Sequence, residues 1–66
     1  MNLVEGIIAE CNRVRESVAH YEELGPVGAF GAAILRAAIR EGEAALGSGD
    51  IVRMIQALKE LRDCAD

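Results

Sequence analysis

Apolar residues recur along the first third of the chain in steps of three and four: Val4, Ile7, Cys11, Val14, Val18 and Tyr21. That spacing draws one narrow seam along an α-helix, as in a coiled coil. Leu3 and Ile8 widen it at the start, and Glu5, Arg13, Glu16, Glu22 and Glu23 fall mostly off it. The last segment repeats the pattern. Ile51, Met54, Ile55, Leu58, Leu61 and Ala65 make one face, broadened by Val52, and Arg53, Lys59, Glu60 and Asp63 lie elsewhere.

The middle segment differs. No charged side chain occurs from Pro26 to Leu35. One stripe runs through Val27, Phe30, Ile34, Ala38 and Ala45, and a second through Leu35, Ile39, Gly42 and Leu46. Arg36, Arg40 and Glu43 mark the remaining wet strip. A helix that is apolar nearly all round is buried nearly all round, and two short neighbours cannot readily cover it.

Two breaks separate these segments. Gly25-Pro26 supplies a left-handed helix end and a first-turn proline. In Gly47-Ser48-Gly49-Asp50, Gly47 can end a helix and Asp50 can cap the next. The expectation is one all-α domain over residues 1–66, a compact three-helix unit with helices at about 2–23, 26–46 and 50–64. Val27, Phe30, Gly31, Ile34, Leu35 and Ile39 are expected to join copies of it into a homo-oligomeric bundle. Small residues at Gly28, Gly31, Ala32 and Ala33 would let another backbone come close.

Composition sharpens this picture. With 66 residues, 52% of them hydrophobic, the chain is too short for a large enzyme fold and too apolar for a disordered tail. A domain of this size buries only about 60% of its unfolded surface, and self-association is one remedy. Two cysteines and one histidine make disulfides or metal an improbable remedy. The net charge of −4 and the lack of a basic cluster argue against direct nucleic-acid binding, and with it against a DNA-binding regulator. No apolar run reaches the ~18–20 residues of a membrane span. The absence of a basic segment before Arg13, with Glu5 and Glu10 inside any apolar run, argues against a signal peptide. A cytoplasmic location is expected.

The candidate chemistry is sparse. Gly25, Gly28 and Gly31 straddle a helix start, where the N–H groups of Val27, Gly28 and Ala29 could hold an anion. The plainer alternative is a tight turn followed by close helix packing. Arg36 and Arg40 lie one turn apart, and guanidinium forks match phosphate or carboxylate. The plainer alternative is a solvated face with Arg40 offset by Glu43 and Arg36 free. Tyr21 could stack on a base, whereas Phe30 reads as core filling. His20 with Glu16 offers too few ligands for zinc and no second group for acid–base work. At ~1.5 Å per residue, Cys11 and Cys64 would sit at heights of ~13 and ~21 Å, too far apart for an intrachain disulfide. No catalytic motif, metal site or cofactor is expected, and the chain reads as a binder.

The stretch Tyr21-Glu-Glu-Leu-Gly-Pro-Val-Gly-Ala-Phe-Gly-Ala-Ala-Ile-Leu, followed by Gly49-Asp50-Ile-Val-Arg-Met-Ile, resembles small open reading frames of temperate bacteriophages and prophages over residues 21–58. The resemblance implies a small accessory protein that counters host defence. One form is a helical oligomer that sequesters a nucleotide-derived signal between subunits. The other is an inhibitor or adaptor that covers an apolar surface on a host protein. The first is the leading expectation, with Arg36, Arg40, Tyr21, Val27, Gly28 and Ala29 as the ligand-binding residues. The setting implied is the host cytoplasm.

Overall fold

In a computed structural model, residues 2–64 are described, and among them there are three helices and no strand: α1 (Leu3–Glu23), α2 (Pro26–Ser48) and α3 (Ile51–Asp63). They pack as an up-down-up bundle measuring 36 × 19 × 16 Å. Ala65, expected on the α3 stripe, lies outside the described residues.

Local chemistry sets each boundary. The Asn2 side chain accepts from the Glu5 N–H at 2.8 Å and caps α1. Gly25 turns the chain with φ 68° and Pro26 opens α2, so the first break falls where the residues place it. The second break falls two residues later than expected. Gly47 remains helical, and Gly49 takes the left-handed position with φ 69°. The Ser48 hydroxyl donates to the Ala45 carbonyl at 2.7 Å and accepts from the Asp50 N–H. Asp50 then caps α3 through the Arg53 N–H.

The first seam is the backbone of the core. Ile7, Cys11, Val14 and Val18 are buried, and the seam opens to solvent at Val4 and Tyr21. The two stripes of α2 have different fates. Leu35, Ile39 and Gly42 of the second stripe are buried, and a Cβ on Gly42 would stand 3.1 Å from the Cys11 sulfur and 3.0 Å from Leu61. The absent side chain lets all three helices meet there.

The first stripe is divided by the length of α3. Its lower half, Ala38 and Ala45, is buried. Glu41, on the same face by helical spacing, is paired with Arg53 of α3 at 2.8 Å. That hydrogen bond holds the Glu41 carboxyl below its usual range and the Arg53 guanidinium above its own. The upper half is open: Val27 is 87%, Phe30 78% and Ile34 52% exposed. The reason is reach. At ~1.5 Å per residue the 13 residues of α3 rise ~20 Å, against ~32 Å for α1 and ~35 Å for α2. α3 stops level with Arg13, whose guanidinium donates to the Leu61 carbonyl at 3.1 Å. Among the described residues, only the α1–α2 hairpin continues above that level. Phe30 therefore does not fill the core of this chain. On α3 itself, Met54, Ala57 and Leu61 are buried, whereas Ile51 and Ile55, expected inside, are exposed along with Val52.

The hairpin closes by backbone contact at Gly28, where an added Cβ would stand 1.9 Å from the Tyr21 carbonyl oxygen. Gly28→Ala is expected to destabilise the fold by about 3 kcal/mol, since the backbone itself must move. Gly47→Ala, which meets nothing within 4 Å, is expected to add roughly 0.5 kcal/mol of helix propensity. Urea denaturation of both checks this; equal effects would contradict the close approach at Gly28.

Candidate functional site

On the side of the hairpin away from Glu41 and Arg53, α1 and α2 are laced by two ion pairs. Arg15 donates to Glu43 at 2.7 Å, and Arg36 donates to Glu22. Between them lies a groove of about 290 Å³, lined by Arg15, Val18, Arg36, Ile39, Arg40 and Glu43. Val18 and Ile39 are buried side chains with their edges in the groove, so its floor is apolar. Its walls carry three guanidinium groups against one carboxylate. Among the described residues Arg40 makes no ion pair.

Arg36 and Arg40 thus share one groove, as their helical spacing requires, but their partners differ from expectation. Glu43 is held by Arg15 rather than offsetting Arg40, and Arg36 is held by Glu22. Arg15 was not singled out from the sequence. Its position on the α1 flank facing Glu43 depends on how the two helices are rotated against each other.

The other expected ligand residues lie elsewhere. Gly28 is eight residues before Arg36, or ~12 Å along the axis, and its N–H is already bonded to the Gly25 carbonyl at 3.1 Å. Gly28 is a packing glycine beneath Tyr21, and its N–H is not free for an anion. Val27 and Ala29 are exposed at the same end, without Arg36 or Arg40 beside them. The Tyr21 ring lies over Gly31, with two ring carbons within 2.4 Å of where a Cβ would be. Gly31 and Arg36 are five residues apart, ~140° around α2, so Tyr21 faces away from the arginines. The groove is lined by residues of one chain.

The interface expectation divides in the same way. Val27, Phe30 and Ile34 are open, and Gly31 is half-covered by Tyr21. Leu35 and Ile39, at 6% and 7% exposure, are spent inside the chain and are not available to a partner. His20 and Glu16 are exposed on α1. Cys11 and Cys64 are free thiols, and burial raises the pKa of each. Among the described residues no group of three or more His, Cys, Asp or Glu could hold a metal ion, and no helix is long and apolar enough to cross a membrane.

Comparison with protein families, curated proteins and solved structures finds no match to this chain.

Leu35→Ala is expected to cost about 2–4 kcal/mol, as a truncation inside a packed core. Arg40→Gln is expected to stay within about 0.5 kcal/mol of the parent, as a surface change without a partner. Chemical denaturation separates the two; a comparable loss in Arg40→Gln would contradict the free state of that guanidinium.

Proposed function

We propose that the protein is a non-enzymatic interaction module that works as an assembly of its own copies, joined through the open upper face of the hairpin. The observation that carries this reading is the exposure of Val27, Phe30 and Ile34 above the end of α3. Tyr21 continues the patch, because its ring lies over Gly31, next to Phe30 in the chain, and Leu24, 60% exposed, lies beside Gly28 at the same end of the hairpin. At roughly 200 Å² for a fully exposed large apolar side chain, these five residues present roughly 600 Å². That reaches the top of the range for the largest patch on a monomer. Two such patches face to face bury about 1,200 Å², the lower bound for a specific interface.

A second copy suits this face because the vacancy is helical in shape. The stripe that α3 covers at Ala38 and Ala45 continues upward as Ile34, Phe30 and Val27. A helix laid there would complete the bundle, and the partner's own upper hairpin presents two. The interface would be isologous, with the same patch on both sides.

A second reading is capture of a small nucleotide-derived signal by a phage-type protein that counters host defence. Its supports are the resemblance over residues 21–58 and the shared groove of Arg36 and Arg40. In either setting the location proposed is the cytoplasm of the cell in which the protein is made.

Sedimentation equilibrium tests the assembly. At about 100 µM, within the range expected of a small interface, the parent is expected to sediment at twice 7.0 kDa or more. Phe30→Glu is expected to sediment at 7.0 kDa with its helical circular dichroism unchanged, since Phe30 supports no core. A parent that is monomeric at this concentration would overturn the proposal.

A further inference from the structure

We infer that the groove between α1 and α2 is a binding site for a small phosphate ester carried on a flat apolar ring, a molecule the size of a mononucleotide. The inference gives the nucleotide reading a ligand class and a place within one chain, and it does not depend on self-association. Three features carry it. The protein is acidic overall, with net charge −4, yet this groove gathers Arg15, Arg36 and Arg40 with only Glu43 on its wall and Glu22 behind Arg36. Guanidinium groups recognise phosphate through paired N–H donors. The floor is formed by the apolar edges of Val18 and Ile39, and the guanidinium planes beside it can stack on a flat ring. The volume of about 290 Å³ lies at the bottom of the ~300–1,000 Å³ range of small-molecule sites, which limits the ligand to about one nucleotide unit.

Roles follow from the ion pairs. Arg40 has no carboxylate partner among the described residues and is the primary phosphate anchor. Arg36, one turn away, is steadied by Glu22 and presents its remaining donors to the same anion. Arg15 is held by Glu43, so the Glu43 carboxylate competes with an incoming phosphate for it. A solvated face would be indifferent to removal of either Arg40 or Glu43, whereas a phosphate site responds to the two changes with opposite signs.

Isothermal titration calorimetry with AMP, GMP, CMP and UMP tests the site, with the corresponding nucleosides as the neutral arm. Saturable binding of at least one nucleotide is expected, weaker by about tenfold or more in Arg40→Gln and tighter in Glu43→Gln, with the nucleoside binding at least about tenfold more weakly. The same affinities are expected in the Phe30→Glu background, because the groove lies within one chain. No saturable binding to any of the four, or equal affinity in the parent and Arg40→Gln, would overturn the inference and leave the self-association proposal standing. A monomeric parent that binds a nucleotide with these responses would support the site and overturn only the assembly.

Discussion

A 13-residue helix cannot cover a hairpin whose arms have 21 and 23 residues. The shortfall is about 12–15 Å of axis, and most features of the surface follow from where it falls. Below the end of α3, three helices enclose Ile7, Cys11, Ala45 and Leu61, and Gly42 lets them approach. Above it, α1 and α2 pack on each other, with Gly28 against the Tyr21 backbone and with Ala32 and Val18 buried. Among the described residues no third helix lies there. The α2 stripe that would line such a helix keeps the apolar residues of a buried surface without being buried.

The two flanks of the hairpin are closed by different physics. On the α3 flank the closure is apolar and is pinned by Glu41–Arg53 at the waist. On the opposite flank no helix lies over the seam, and the pairs Arg15–Glu43 and Glu22–Arg36 stitch it instead. Exposed pairs of this kind contribute about 0–1 kcal/mol each, so they guide the rotation of the helices more than they stabilise the fold. Their further consequence is chemical. They leave guanidinium groups standing over Val18 and Ile39, and among the described residues Arg40 makes no ion pair.

Much of the fold is legible in the residues themselves. The step pattern of α1 names Ile7, Cys11, Val14 and Val18, and all four are buried. Gly25-Pro26 and Asp50 mark helix ends by their own backbone and capping preferences. The two stripes of α2 are also legible, but which one is covered, and over what length, is not. That depends on the relative heights of α2 and α3, a property of two segments rather than of either one. Phe30 consequently looks like a core residue in the sequence, and Ile51 and Ile55 do so because the pattern does not show which side of the α3 stripe is turned inward, where Met54, Ala57 and Leu61 lie. The arginine groove is half legible. Helical spacing joins Arg36 to Arg40, whereas Arg15 and Glu43 are 28 residues apart and meet only through the packing of the hairpin. Of the anion site expected at Val27, Gly28 and Ala29, the Gly28 N–H is bonded to the Gly25 carbonyl and the Tyr21 backbone takes the space beside it, since a glycine at a helix start serves close packing as readily as ligand approach.

In the proposed assembly, the third-helix position left open above α3 receives the same position of a second copy. An isotope-filtered NOE experiment on a mixture of labelled and unlabelled protein addresses it most directly. Intermolecular contacts are expected between the Phe30 ring and the methyl groups of Val27, Ile34 and Leu24. Intermolecular contacts confined to Val4, Ile8, Ile51, Val52 or Ile55, or none at all, would contradict it.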